Sequence, residues 1–112
     1  ARADAFDIDP QALIATRDNA ANNDVEDRVH THATADTLPR TADIVLANIL
    51  SGPLIELAPQ LSARVMKGGA LVLAGLLSSQ ADDVAAAYRP WIDLRPGGER
   101  DGWQLLAGAR HP

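Results

Sequence analysis

The chain of 112 residues is 46% hydrophobic and 22% charged, which is typical of one globular domain and not of a disordered segment. Its net charge of -5 argues against binding to nucleic acid or anionic membranes. Without cysteine there can be no disulfide, thiolate metal site or cysteine nucleophile, which fits a cytoplasmic protein. No apolar run is long enough to span a bilayer, the first residues do not predict a signal peptide, and the missing initiator Met predicts an internal piece or a processed product.

The chain begins with a predicted strand over residues 5–8 and a helix from Pro10 to about Ala21. Asp9 can accept from the free amides of the first turn, and Pro suits the first helical position. Asn22-Asn23 should then adopt the left-handed conformation at the helix end. The expected apolar face is thin and consists of Leu13, Ala20 and Ala21.

Two further strands follow. Residues 29–33 form a weakly signalled strand with its turn at residues 34–39. Residues 44–47, bounded by Asp43 and Asn48, form a short apolar run that starts with β-branched residues. Such a run is typical of a strand buried on both faces inside a parallel sheet.

The pattern after Asn48 changes to helical spacing, which predicts a helix that ends at Lys67-Gly68-Gly69. Pro59 lacks an N–H and clashes with the preceding turn, so a kink or break is expected near Ala58. The apolar positions of this helix are Leu54, Leu57, Leu61 and Val65.

The last third of the chain begins with the strongest strand signal, residues 70–77. Ser78-Ser79 should cap a helix that begins near Gln80 and stops before Pro90. Residues 91–94 and 102–109 then predict two strands with no helix between them, and therefore an antiparallel pair. The helix should carry Asp82 and Asp83 in its first turn and bury Ala81, Val84 and Tyr88.

The element order is thus β-α-β-β-α-β-α-β-β. Strands that alternate with helices predict an α/β fold with a mostly parallel sheet, to which the C-terminal pair adds an antiparallel strand. In open sheets of this kind, ligands bind in loops at the carboxyl ends of the strands.

Two polar residues occupy such positions. Asp7, at the end of the first strand, could accept bonds from both hydroxyls of a ribose, whereas Asp9 is placed to cap the helix. Asn48 could hold a ligand amine through its side-chain oxygen, or it could be a turn residue that bonds its own backbone. Spacing alone does not decide between the two roles of Asn48.

Other candidate residues favour structural interpretations. His30 and His32 lie on one face of a strand without a nearby third ligand, so they are expected to face solvent and not to bind metal. Trp103 is expected to serve in packing rather than as a stacking platform. The acidic residues Asp24, Glu26 and Asp27 are typical of a solvated loop.

Several of these stretches occur together in one known family. They are Asp7 to Ala12, Asn19 to Asn22, Leu46 to Leu50, Pro53-Leu54, Lys67 to Gly69, Glu99 and Trp103. This pattern closely resembles the ribosomal protein methyltransferases of the PrmA type, over nearly the whole chain. The Asp7 motif is shared by many methyltransferases, whereas the Asn48 loop with Pro53 and Trp103 is far more specific.

The resemblance implies a function and a site. Such enzymes use S-adenosylmethionine to methylate amino groups of L-eleven, a ribosomal protein of the large-subunit stalk base. By the same resemblance, Asp7 binds the cofactor ribose, Ile8 contacts the adenine, and Thr34 and Asp36 lie near the adenine edge. Asn48 matches the catalytic-loop residue near the methyl donor and the substrate amine.

The resemblance also predicts which parts are missing. The family's first strand, its glycine-rich loop and its N-terminal substrate domain should precede residue 1, so residues 1–112 should form the C-terminal portion of a Rossmann-like class I methyltransferase domain. The strands ending at Asp7 and Ala47 would both lack the same neighbour. Bare strand edges recruit other strands, so we expect a dimer or strand exchange, and no methyl transfer by this chain alone.

Two alternatives remain open at this stage. A nicotinamide-dependent enzyme would also use Asp7 for a ribose, although the C-terminal antiparallel pair and the Asn48 loop argue against it. A non-catalytic, methyltransferase-like assembly module is the second alternative. It would be favoured if no glycine-rich strand and loop were encoded upstream.

Overall fold

The computed structural model describes residues 2–7, 9–48 and 51–111. Within these residues the chain divides into two compact units, one ending at Arg40 and the other beginning at Thr41. Each unit contains its own sheet. None of the helices described is long and apolar enough to cross a membrane.

The first unit contains a parallel pair of strands and one helix. Strand β1 (Ala3–Phe6) pairs with β2 (Val29–His32), and helix α1 (Pro10–Asn22) connects them. The first strand therefore lies two residues earlier than predicted, and residue 8 is outside the described residues. The second strand and the helix agree with the prediction to within one residue.

The ends of α1 are set by local side chains. Asp9 is the N-cap, and its carboxylate accepts a 2.9 Å hydrogen bond from the Gln11 amide, as predicted. The prediction for the C-terminus is wrong, because Asp24 and not Asn22-Asn23 has the left-handed conformation, with φ of 58°. Asn23 stays at φ of -104°, and its side-chain amide donates to the carbonyl of Asn19.

Two apolar residues of α1 are buried, Leu13 and Ala20. Ala21, predicted to share their face, is exposed. The acidic residues of the following loop are exposed as predicted, namely Asp24, Glu26 and Asp27.

The second unit is a four-stranded sheet in the order β3-β4-β6-β5. Its strands are β3 (Ala42–Asn48), β4 (Val65–Leu77), β5 (Arg95–Arg100) and β6 (Trp103–Ala109). The β3–β4 pair is parallel, whereas β4–β6 and β5–β6 are antiparallel. The predicted α/β architecture, with parallel strands followed by an antiparallel C-terminal pair, is confirmed.

Three helices accompany this sheet, namely α2 (Ser51–Glu56), α3 (Ala58–Ala63) and α4 (Ala81–Tyr88). The break at Leu57 confirms the effect predicted for Pro59. The core lies on one sheet face, and its largest fully buried members are Tyr88, Leu54, Leu71, Leu73, Leu76, Ile92 and Leu106.

The boundary between α3 and β4 differs from the prediction. Val65 belongs to β4, where it pairs with Ala42, so the helix ends before it. The pair Gly68-Gly69 forms an irregularity inside the strand instead of a helix end. Gly68 has φ of 78°, and a Cβ on Gly69 would lie 2.7 Å from the carbonyl oxygen of Asp43. Close backbone approach therefore explains the second glycine.

The start of α4 also differs from the prediction. Ser78 donates to the carbonyl of Gly102 at 3.1 Å, and the helix is preceded by a 3-10 turn over Ser78–Gln80. The N-cap residue of α4 is Gln80, so neither serine caps the helix. The side chain of Gln80 accepts a hydrogen bond from the amide of Leu77. The predicted acidic first turn and the predicted buried face of α4 are both confirmed.

The strand predicted at residues 91–94 is displaced to β5. The amides of Trp91 and Ile92 donate to the carbonyl of Tyr88, which closes a turn there, and of the predicted strand only Ile92 forms an isolated antiparallel bridge, with Arg110. The partner of β6 is instead Arg95–Arg100, an edge strand with a register shift between Pro96 and Gly98. Edge strands tolerate Pro, because one side of the strand needs no donor.

Strand β3 is buried on one face only, which contradicts the expectation of two buried faces. Register places Val45 and Ala47 beside Leu71 and Leu73 on the core face. On the other face Ile44 is 62% exposed and Leu46 is 74% exposed. Within the described residues, β1 pairs only with β2 and β3 only with β4, as expected for strands that lack a neighbour.

Candidate functional site

The carboxyl ends of β1 and β2 form one edge of the first unit. The parallel register pairs Phe6 with His32, so the residues that follow each strand lie side by side. The amide of Asp7 donates to the carbonyl of His32 at 3.4 Å. Thr34 and Asp36 follow β2 at this edge, and both are exposed, like Asp7. The structure thus places three of the residues predicted to contact a nucleoside in the segments that follow the paired ends of β1 and β2.

The carboxylate of Asp7 has one engaged oxygen. Its Oδ1 accepts a 2.9 Å hydrogen bond from the amide of Asp9, which leads the chain into α1. Its Oδ2 has no hydrogen-bond partner among the described residues. A carboxylate with one oxygen held by the backbone and one open to solvent is suited to accept hydrogen bonds from hydroxyl groups. Ile8, predicted to contact adenine, lies outside the described residues.

Asn48 is the last residue of β3 and belongs to the second unit. It pairs in register with Ala74 of β4, and its side chain is exposed. The amide group makes no hydrogen bond within the part of the chain that the structure describes. It therefore remains available as an acceptor and a donor at the carboxyl edge of two parallel strands. The next helix begins at Ser51.

A shallow groove of about 350 Å³ lies on the second unit near this edge. Its lining is mostly apolar and includes Ala74, Gly75, Gly98, Glu99, Arg100, Trp103, Gln104 and Leu105. Trp103 pairs with Leu77 at the carboxyl end of β4 and is 51% exposed. Half of its surface therefore faces the solvent, and its expected role in packing stays a prediction. Ala74, which lines the groove, pairs in register with Asn48 on the neighbouring strand.

The two strand histidines have different environments. His30 is exposed as expected, whereas the side chain of His32 is only 10% exposed. Its Nε2 lies 2.7 Å from Oδ1 of Asp4, and its Nδ1 lies 2.7 Å from Oγ1 of Thr37. The solvent-facing prediction is wrong for His32, since Asp4 on the neighbouring strand and Thr37 in the following turn occupy its ring nitrogens.

Asp4 is the acidic partner in this cluster. It also accepts two hydrogen bonds of 3.1 Å from the guanidinium of Arg2. These bonds, together with the hydrogen bond to His32, hold the pKa of the Asp4 carboxyl below its ordinary value of 3.8. Sequence analysis missed this cluster, because Asp4 and His32 are 28 residues apart and meet only through strand pairing. Among the described residues, no three His, Asp or Glu side chains are grouped as metal ligands.

Solved structures with the same fold include a ribosomal protein L11 methylase from Lactobacillus delbrueckii subsp. bulgaricus. It matches 99% of the chain with a TM-score of 0.86 and 24% identity, and the chain covers 59% of it. An RNA methyltransferase from Salinibacter ruber, in complex with S-adenosyl-L-homocysteine, matches 99% of the chain with a TM-score of 0.73 and 21% identity. The chain covers 67% of that protein. The fold is therefore that of the class I methyltransferases.

Sequence comparison gives closer relatives. The ribosomal protein L11 methyltransferase of Pseudomonas aeruginosa is 51% identical over 110 residues, and that of Azotobacter vinelandii is 50% identical over 110 residues. Each match includes 97% of the chain, which spans only 37% and 38% of the respective relatives. The family model described as ribosomal protein L11 methyltransferase (PrmA) matches residues 1–111, so the chain belongs to the PrmA family of ribosomal protein methyltransferases.

Proposed function

We propose that the native polypeptide containing this chain transfers methyl groups from S-adenosylmethionine to amino groups of ribosomal protein L11. Membership of the PrmA family carries this proposal. The exposed Asp7 and Asn48, each at the carboxyl end of a parallel strand, add geometric support. We further propose that residues 1–112 are the C-terminal portion of the catalytic domain and act in the cytoplasm.

The residues of the first unit suit the nucleoside half of S-adenosylmethionine. The open oxygen of Asp7 would accept from the ribose hydroxyls, and a charge-assisted bond of this kind is stronger than a neutral one. Thr34 and Asp36 would lie at the adenine edge, and Ile8 would supply an apolar contact. Phe6, which is 43% exposed at the end of β1, adds apolar surface near Asp7.

Asn48 would orient the methyl acceptor. Its side-chain oxygen can accept a hydrogen bond from a neutral amine and so aim the nitrogen lone pair. The cofactor, when bound, supplies the electrophilic methyl group on its sulfonium. Catalysis then consists mainly of positioning, so the protein needs no nucleophile of its own.

The isolated chain is a separate case. The open edges of β1 and β3 would favour self-association of the 112 residues, by dimerisation or strand exchange. Without the family's glycine-rich loop we expect no methyl transfer by these residues alone. The net charge of -5 favours a protein substrate over direct contact with nucleic acid.

The proposal is tested with the longest native polypeptide that contains these residues. It is incubated with methyl-labelled S-adenosylmethionine and purified L11, and transfer of label to L11 is expected. Absence of transfer, or binding of NAD in place of S-adenosylmethionine, would contradict it. The second result would favour a nicotinamide enzyme, and the absence of any cofactor binding would favour an assembly module.

A matched pair of variants connects the activity to the site. Asp7→Ala should weaken cofactor binding by about 1.5–3 kcal/mol, since it removes a charged acceptor. The control is Asp18→Ala, which changes another exposed aspartate, on α1, and should leave the affinity unchanged. Calorimetric titration measures both, and equal affinities for the two variants would remove Asp7 from the proposed site.

A further inference from the structure

His32 connects the two groups of predicted nucleoside contacts in the first unit. Its backbone carbonyl accepts from the amide of Asp7, and its ring contacts Thr37 in the turn that follows β2. The hydroxyl of Thr37 also lies 3.4 Å from the carbonyl of Thr34. His32 thus contacts both the segment that follows β1, at Asp7, and the turn that follows β2, at Thr37.

The ring of His32 is held from opposite directions. Asp4 on β1 can only accept when ionised, so Nε2 carries the proton that is donated to it. In the neutral ring Nδ1 is then an acceptor and receives the hydroxyl proton of Thr37. In the charged ring Nδ1 donates instead, and the hydroxyl is free to donate to Thr34. Both ring nitrogens therefore keep their partners in either charge state.

Burial makes this arrangement more rigid than a surface contact. The side chains of His32 and Asp4 are 10% and 13% exposed, so water competes little for their hydrogen bond. Asp4 is in turn held by Arg2. In the turn Ala35–Thr37, Asp36 and Thr37 are exposed, and the hydroxyl of Thr37 connects this turn to the nearly buried ring of His32.

We propose that His32 is a positioning residue that holds the turn after β2 in the conformation that receives the adenine end of the cofactor. The inference rests on the proposed function. Its physical basis is preorganisation, because a turn already held in its bound conformation loses less entropy when the ligand binds. His32 acts through Thr37 and the backbone at Asp7, and it needs no contact with the reacting atoms.

The test changes Thr37, because its side chain is exposed and can be replaced without disturbing the core. In the native polypeptide, Thr37→Val removes the hydroxyl at nearly constant volume, and Thr37→Ser retains it. Thr37→Val should weaken binding of S-adenosylhomocysteine about two- to tenfold, which corresponds to one hydrogen bond. Thr37→Ser should bind like the wild type and keep its thermal midpoint, whereas the loss of one hydrogen bond should lower the midpoint of Thr37→Val by only a few degrees.

Kinetics separate positioning from a general structural role. Thr37→Val should raise the KM for S-adenosylmethionine and leave kcat at saturating cofactor unchanged. His32→Leu should raise the KM in the same way. The double variant should have the same KM as His32→Leu, because both substitutions remove the same His32–Thr37 hydrogen bond. If His32→Leu does not fold, the comparison of Thr37→Val with Thr37→Ser still decides the question.

The outcomes distinguish this inference from the function on which it rests. Wild-type binding of S-adenosylhomocysteine with no loss in Thr37→Val overturns the positioning role alone. A loss shared equally by Thr37→Ser also overturns it, because the hydroxyl would then be irrelevant. If the wild type does not bind S-adenosylhomocysteine, the proposed function fails and the inference falls with it.

Discussion

The phenolic hydroxyl of Tyr88 in α4 donates a 2.7 Å hydrogen bond to the backbone carbonyl of Leu54 in α2. Both residues have no solvent-accessible surface. The helix breaks at Leu57, so the carbonyl of Leu54 lies in the last turn of α2, where intrahelical donors run out. The tyrosine thus supplies a partner that the helix break has removed.

Tyr88→Phe should therefore destabilise the protein although it preserves the packing of the ring. The carbonyl of Leu54 would stay buried without its donor, at a cost of about 1–3 kcal/mol. Chemical denaturation at neutral pH measures the free energy of unfolding. A loss well below about 0.5 kcal/mol would show that water or another donor replaces the hydroxyl.

Ser62 provides the matched control for this experiment. It is fully buried in α3, and its hydroxyl has no hydrogen-bond partner among the described residues. Ser62→Ala removes a buried hydroxyl without leaving a partner unpaired, so the free energy of unfolding should stay the same or rise by about 1 kcal/mol. A destabilisation equal to that of Tyr88→Phe would mean that loss of any buried hydroxyl explains both effects.

The same tyrosine predicts an alkaline transition. Burial raises the pKa of Tyr88 to about 12 from its ordinary value of 10.0, so the folded state keeps the proton more tightly than the unfolded state. The stabilisation is complete below the unfolded pKa and is lost as pH rises from about 10 towards 12. Unfolding free energies across this range should fall more steeply in the wild type than in Tyr88→Phe.

The lowered pKa of Asp4 predicts that stability also depends on pH in the acid range, where it should fall as the pH falls. Its folded pKa is lowered, so its contribution to stability is present above pH 3.8 and is lost as pH falls through the lower folded value. Asp4→Asn should therefore flatten the acid limb of the stability curve. Thermal midpoints measured between about pH 2 and 5 test this. Asp27→Asn, in the exposed loop, is the control and should keep the wild-type slope.

Asn48→Ala should lower turnover more than cofactor affinity, because its partner in the proposed mechanism is the substrate amine. Loss of one positioning hydrogen bond is expected to reduce kcat by about tenfold or more. Steady-state kinetics with L11 and a separate cofactor titration give the two quantities. Intact turnover at saturating cofactor together with weakened cofactor binding would show that the assigned role is wrong.

Leu46→Lys should reduce self-association of the isolated 112-residue chain. Leu46 is 74% exposed on β3, beside Ile44, which is 62% exposed. Burial of one such side chain in an interface is worth about 1.5–3 kcal/mol, so the dissociation constant should rise by about tenfold or more. Light scattering over a concentration series measures it. A wild-type chain that stays monomeric at all concentrations contradicts the expected dimer.

Some features were fixed by neighbouring residues and could be predicted from the sequence. Asp9 followed by Pro10 determines the start of α1, because a capping carboxylate and a preset φ act within one turn. Pro59 determines the break at Leu57, since the missing N–H is a property of that residue alone. The strand that ends at Asn48 followed from the apolar run at residues 44–47, which local composition reveals.

Other features depended on residues far apart in the chain. The burial of His32 requires Asp4, which reaches it only when β1 and β2 pair in parallel. The position of β5 is decided by its pairing with β6, and the exposed face of β3 by which face the helices cover. Sequence patterns record how apolar a segment is, but hydrogen bonding and packing with distant partners decide which of its atoms leave the solvent.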